Sequence, residues 1–163
     1  MGALGDSEVD INQAIMVLQE CYPKIIVAHE IVDAVKKRMV VQVTKTGSKV
    51  IGVVIAERDV HEFYVHRIGV LRSHRGKGYG RGLIQGLVRL PGVQVITMAV
   101  PSWDPGAVAF AHRCSFHQFG VDMNEEGHQL WRLSARADES TRNRLEQYFA
   151  ARPTRKGDPG RRC

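Results

Sequence analysis

The chain is poor in cysteine, with three in 163 residues: Cys21, Cys114 and Cys163, odd in number and far apart. No Cys-x-x-Cys occurs, and His112-Arg113-Cys114 has no second half of a zinc site, which excludes a disulfide framework and a zinc finger as expectations. Free thiols suit a reducing compartment, so the expected location is cytoplasmic. No apolar run reaches about 18 residues, so no membrane-spanning helix and no membrane partner are expected. The opening Met-Gly-Ala-Leu-Gly-Asp-Ser lacks a basic stretch followed by an apolar one, so no secretory signal is read there. Asp6 stands where N-myristoylation wants serine or threonine. Aromatic residues make up 7%, and no strand interleaves them as a base-stacking sheet does, which weighs against nucleic acid as a partner.

The net charge of +6 and a pI near 9.5 invite the opposite conclusion. From Ala151 onward, however, Arg152, Arg155, Lys156, Arg161 and Arg162 face a single acid, Asp158. That segment accounts for +4 and leaves +2 for everything before it. The part that can fold is only mildly basic. A hydrophobic fraction of 44% and a charged fraction of 25% are those of one globular domain with a core of ordinary size.

Three regions are expected: a flexible N-terminal segment over 1–9, a single domain over 10–150, and a basic disordered tail over 151–163. Asp10 to Cys21 has apolar residues at the 3.6-residue period (Ile11, Ala14, Ile15, Leu18), with Asp10 as N-cap and Pro23 closing the helix. A second helix over His29–Met39 has Ile31, Val32, Val35 and Met39 on one side. Strands follow at Val40–Thr46, Val50–Glu57 and Glu62–Val70, with tight connections at Gly47-Ser48 and Arg58-Asp59. A helix over Gly80–Leu90 buries Leu83, Ile84, Leu87 and Val88, while Gly82 and Gly86 offer another face for close approach. Val93–Val100 reads as a strand, and Asp104 caps a short helix with Pro105 at its first position. Phe116–Met123 and His128–Ser134 pair across Asn124–Gly127, and a polar helix lies near Glu139–Ala150. No strand before the first helix is evident in residues 1–9. Only the crossover around residues 70–93 requires neighbouring strands to run parallel.

One stretch states a chemistry. Residues 68–82 read Ile-Gly-Val-Leu-Arg-Ser-His-Arg-Gly-Lys-Gly-Tyr-Gly-Arg-Gly, an apolar strand end entering a basic glycine loop that opens a helix. Free amides at a helix N-terminus, with the positive end of its dipole, form a phosphate site, and Arg72, Arg75, Lys77 and Arg81 add charge around it. A P-loop is excluded because Gly78, not serine or threonine, follows Gly76-Lys77. The dinucleotide fingerprint fails too, with Arg81 and Leu83 at the sixth places counted from Gly76 and Gly78.

Arg75-Gly76-Lys77-Gly78-Tyr79-Gly80 after a strand ending Ile-x-Val resembles motif A of the GNAT superfamily of acetyl-CoA-dependent N-acyltransferases, [Arg/Gln]-x-x-Gly-x-[Gly/Ala]. Asp104-Pro-Gly-Ala-Val-Ala-Phe-Ala-His-Arg-Cys-Ser-Phe116 resembles the family's second block, Asn-x-x-Ala-Ile-x-Leu-Tyr-x-x-x-Gly-Phe. The resemblance covers roughly Asp10 to Ser134. It implies an α/β fold (α+β by some schemes): a central mixed, mostly antiparallel sheet, helices on both faces, and a splayed strand pair holding the cofactor. It implies acetyl-CoA as cosubstrate, no metal, and direct acetyl transfer to a primary amine in a ternary complex. Ile68, Gly69 and Val70 would offer backbone groups to the pantetheine arm. Gly76, Lys77, Gly78, Tyr79, Gly80 and Arg81 would donate amides to the pyrophosphate, and Arg72, Arg75 or Lys77 would meet the remaining phosphate. The acceptor is open among a small-molecule amine, a protein lysine and a protein N-terminus. Acidic residues (Glu20, Glu30, Asp33, Glu57, Asp59) lean mildly towards a cation, and a homodimer is compatible with the pattern.

Catalytic residues are less well marked. The family's tyrosine proton donor is replaced by Ala111, its glycine by Ser115, and its asparagine by Asp104. Ala99 stands where members acting on ribosomal proteins carry a glutamate base. Glu62 falls, counted back from Arg75 without gaps, where histone-acetyltransferase-like members carry one. His61 and His66 are near it in sequence, and histidine titrates close to neutral pH. The alternative to an enzyme is a CoA-binding regulatory module, favoured by Ala111 and Ala99.

Overall fold

The structure, a computed structural model, describes the backbone of residues 2–3 and 8–137 and side chains from residue 10 onward. The expected polar helix over 139–150 and the basic tail over 151–163 lie outside the described residues. In chain order the elements are β1 (Gly2–Ala3), α1 (Glu8–Cys21), α2 (Ala28–Lys36), β2 (Val40–Thr46), β3 (Lys49–Asp59) and β4 (Glu62–Val70). They continue with α3 (Tyr79–Val88), β5 (Val95–Pro101), α4 (Pro105–Arg113), β6 (His117–Met123) and β7 (Gln129–Arg136). The strands form one sheet in the order β1-β2-β3-β4-β5-β7-β6, antiparallel throughout except for β4 against β5.

Each face of the sheet has its own apolar cluster. Ala14, Val17 and Leu18 of α1 and Ile31 and Ala34 of α2 pack on Val43, Val53 and Ile55. On the other face Leu83, Ile84 and Leu87 of α3 and Phe110 and Ala111 of α4 pack on Val54, Phe63, Val65, Ile96 and Leu133. β3 is therefore buried from both sides, which is why Val50 to Ala56 is almost continuously apolar. The meander of β2, β3 and β4 and the parallel crossover through α3 agree with the sequence reading.

Several local expectations are corrected. A two-residue strand, Gly2–Ala3, does pair antiparallel with Gln42 and Val43; two residues are too few to show alternation. Asp10 lies inside α1, which begins at Glu8, and its carboxylate accepts from Lys45 Nζ at 2.7 Å instead of capping the helix. The buried face of α2 is Ile31 and Ala34, leaving Val32 and Val35 exposed. The β3–β4 turn falls at Val60-His61, two residues beyond the Arg58-Asp59 expected. Arg58 remains in the ladder opposite Phe63, its guanidinium 5.6 Å from that ring and donating to Pro91 O at 2.9 Å.

Two irregularities set up the functional end. β4 pairs with β5 only from Glu62↔Val95 to Val65↔Met98; beyond that the two strands separate, β5 continuing against β7 and β4 against β3. The separation begins at a β-bulge, since Ile55 pairs with Arg67 and Ala56 with Val65, which leaves His66 as the extra residue. A bulge bends its strand and sharpens the twist, which turns β4 away from its parallel neighbour.

Candidate functional site

The residues from Arg72 to Gly80 cross from the open end of β4 to the N-terminus of α3. A short 3₁₀ turn at Arg72–His74 leads into Gly76 at φ 77° and Gly78 at φ 89°, both left-handed. Gly78 is the residue immediately before α3, and a side chain there would strain the turn that aims the helix at the loop. The first-turn amides of Tyr79, Gly80 and Arg81 precede the first intrahelical bond, Gly82 N–H to Gly78 O at 3.0 Å. A cavity forms here, lined among others by Val70, Gly76, Gly78, Gly80, Arg81 and Arg113.

Gly80 has a different task. A Cβ on it would sit 2.9 Å from Phe110 Cε2, so its bareness lets α3 lie against α4. The same Cβ on Gly82 would meet nothing within 4 Å, which corrects the expectation that Gly82 serves close packing. Gly69 is packed likewise, its Cβ position 2.7 Å from Cys21 Sγ of α1.

The basic residues separate into two kinds. Arg72 and Lys77 are exposed at the rim. Arg75 is an anchor: its Nε donates to Val70 O at 2.9 Å and a terminal nitrogen to Cys21 Sγ at 3.2 Å, tying the loop to β4 and α1. Arg81, expected as a backbone donor and as added charge around the loop, is only 3% exposed, and its side chain is hydrogen-bonded to the Cys114 thiol. Burial pushes that thiol up to about 12, against the opposing pull of Arg81 and Arg113, so Cys114 stays neutral. Arg113 was not foreseen. It projects from α4 into the same cavity, and its buried Nε and one terminal nitrogen have no hydrogen-bond partner. Burying such donors unpaired is costly, and an anion in the cradle would satisfy them.

The open side of β4 is partly filled by the chain itself. The Tyr22 hydroxyl, just past α1, donates to Ile68 O at 2.9 Å and lies 3.4 Å from Ile68 N. Val70 O accepts from Arg75. Of the backbone groups expected to meet a pantetheine arm, those of Ile68 and the Val70 carbonyl are thus already engaged. An arm pairing along this edge must displace the Tyr22 hydroxyl.

Glu62 lies at the closed end of the β4–β5 pair, opposite Asp59 and Val95. It is exposed and accepts from Thr97 Oγ1 at 2.6 Å. Four residues of strand, about 13 Å, separate it from the bulge. Asp104 caps α4 as expected, accepting from the amides of Gly106 and Ala107 at 3.1 Å each. Ala111 is fully buried, and Ser115 adopts φ 66°, the left-handed geometry that explains the family's glycine there. Of the acidic residues, Glu20 accepts the Arg72 amide, Glu30 forms a two-point pair with Arg67, and Glu57 meets His66.

Comparisons with known proteins give the family and the fold. The profile of the acetyltransferase (GNAT) family matches residues 13–116, so the chain belongs to that family and is an acetyl-CoA-dependent acetyltransferase by class. No curated protein matches the sequence. Among solved structures, the ribosomal-protein-S18-alanine N-acetyltransferase from Escherichia coli superposes with a TM-score of 0.71 at 15% identity, covering 81% of this chain and 90% of that one. The aminoglycoside 6'-N-acetyltransferase from Enterococcus faecium gives 0.75 at 13%, covering 85% and 96%. An aminoglycoside 6'-N-acetyltransferase complexed with coenzyme A gives 0.73 at 13%, with the same coverage. At these identities the likeness speaks for the fold.

Proposed function

We propose that the glycine-loop cradle holds the phosphates of acetyl-CoA and that the gap between β4 and β5 receives its pantetheine arm, for transfer of the acetyl group to a primary amine. The observation that carries this reading is Arg113, whose buried, unpartnered guanidinium nitrogens line the cavity at the N-terminus of α3. A pyrophosphate there gains the first-turn amides, the helix dipole and charge-assisted bonds from arginine. Arg72 and Lys77 at the rim are free to meet a further phosphate, while Arg75 holds the loop in place. Bound acetyl-CoA supplies an activated acyl thioester. The chain supplies the Ile68 amide as donor to the thioester oxygen once the Tyr22 hydroxyl has moved aside.

The acceptor reaches the thioester from the sheet face that carries Tyr64 and His66, which α1 and α2 leave exposed. Acidic residues on this side lean towards a cationic amine, although Glu30 is neutralised by Arg67. The test is thiol release from acetyl-CoA in the presence of spermidine, an aminoglycoside and a lysine-containing peptide. Amine-dependent release with at least one of them is the expected outcome. The buried Ala111 favours the second reading, a CoA-binding regulatory module. Saturable acetyl-CoA binding with no turnover on any amine would decide for it.

A further inference from the structure

The transferase reading leaves the proton of the acceptor ammonium without a taker, and Glu62 lies at the closed end of the strand pair. Another titratable pair stands at the opening itself. His66 is the extra residue of the β4 bulge, one position beyond the last β4–β5 pair at Val65↔Met98. Its Nε2 lies 2.8 Å from Glu57 Oε2 on β3. The Tyr64 ring meets its imidazole edge-on, with centroids 4.8 Å apart, and fixes the plane of the ring. Arg67 lies beside it but is engaged elsewhere, donating to the His66 carbonyl at 3.1 Å and to Glu30 at 2.9 and 3.0 Å. The side chains of His66 and Glu57 are 39% and 61% exposed, so solvent and a diffusing amine reach them.

We propose that His66, oriented by Glu57, is the general base of acetyl transfer. The inference rests on the transferase reading and deepens it. The carboxylate can only accept, so in the neutral imidazole Nε2 carries the hydrogen and Nδ1 presents a lone pair. His66 Nδ1 takes one proton from the acceptor ammonium. The freed amine nitrogen forms a C–N bond to the thioester carbonyl as its C–S bond breaks. The amine's second proton passes through solvent to the departing thiolate, and the imidazolium returns its own proton to solvent. Glu57 is a positioning residue, since it touches His66 and not the reacting atoms. The bulge explains why the sequence spacing pointed elsewhere: it adds a residue and brings His66 and Arg67 to one face of β4, so a strict count along the strand loses its phase.

The test uses the full chain, acetyl-CoA and whichever panel amine the unaltered protein acetylates. His66→Gln is expected to lower kcat by about 10²-fold or more, with the calorimetric Kd for acetyl-CoA unchanged within twofold. Exogenous imidazole is expected to restore part of the turnover of His66→Ala, because the exposed site admits it. Glu57→Gln should lower kcat with little change in the amine KM. The assignment is overturned if His66→Gln turns over within threefold of the unaltered protein. It is also overturned if imidazole leaves His66→Ala untouched, or if Glu62→Gln and not His66→Gln removes turnover. Failure of the unaltered protein to acetylate any amine overturns the transferase reading and this assignment with it; normal turnover with a normal His66→Gln overturns the assignment alone.

Discussion

Substituting Gly80 and Gly82 by alanine, separately, isolates the contact that holds the cradle's helix against α4. Both lie in the first turns of α3 with φ outside the left-handed region, so both gain up to about 1 kcal/mol of helix propensity from alanine. They differ in what the new methyl meets. At Gly80 it lands 2.9 Å from Phe110 Cε2 and 3.2 Å from Cζ, on a ring 7% exposed within the apolar cluster, whereas at Gly82 it meets nothing within 4 Å. Overpacking of this kind costs about 1–3 kcal/mol, so Gly80→Ala should be less stable than Gly82→Ala by about that amount. For a chain of this length the difference is about 2–4 °C in Tm per kcal/mol. The motif this loop resembles accepts alanine at position 80, and the second block has leucine where this chain has Phe110. In a Phe110→Leu background the two alanine variants should therefore converge to within about 0.5 kcal/mol. Urea unfolding followed by circular dichroism reads all six proteins. Equal stabilisation by both alanines in the Phe110 background would refute the contact.

Three further outcomes follow from the basic floor of the cradle and the buried thiol beside it. Arg113→Ala should weaken acetyl-CoA binding by about tenfold or more, the loss of a charge-assisted hydrogen bond, while Lys77→Ala at the exposed rim should cost less; equal effects in calorimetry would remove Arg113 from the site. Cys114, held protonated by burial, should alkylate with iodoacetamide at pH 8 far more slowly than Cys21, read by peptide mass spectrometry. Because its folded pKa is raised above the unfolded value of 9.0, its contribution to stability is intact below pH 9 and falls as pH rises towards 12. The unaltered protein should accordingly lose more stability than Cys114→Ala between pH 8 and 10; parallel loss would contradict the assigned burial effect.

The β2–β3–β4 meander, the parallel crossover and the Asp104-capped helix were legible because local signals agreed: apolar runs, a Gly47 turn, an Asp-Pro start. What the sequence concealed depends on contacts between distant segments. Asp10 looks like a cap, yet Lys45, 35 positions away, claims its carboxylate. Val60 at φ 45° gives no hint of a turn, because a β-branched residue is disfavoured there; the Arg58–Phe63 pairing imposes it. The glycines of the loop are alike in sequence but serve different ends: backbone conformation at Gly76 and Gly78, room for Phe110 at Gly80. Arg113 and Tyr22 carried no local signal, since each becomes part of the site only when α4 and α1 are packed beside β4 and α3. The bulge at His66 is visible only in the strand register.

The central claim is that a cradle of amides and buried arginine at the start of α3 holds acetyl-CoA, and titration calorimetry of the full chain with acetyl-CoA tests it most directly. Saturable binding of one equivalent with a Kd between about 1 µM and 1 mM, weakened by Arg113→Ala and by Gly78→Ala, is the predicted result. No saturable binding up to about 1 mM, or binding indifferent to both substitutions, would contradict it.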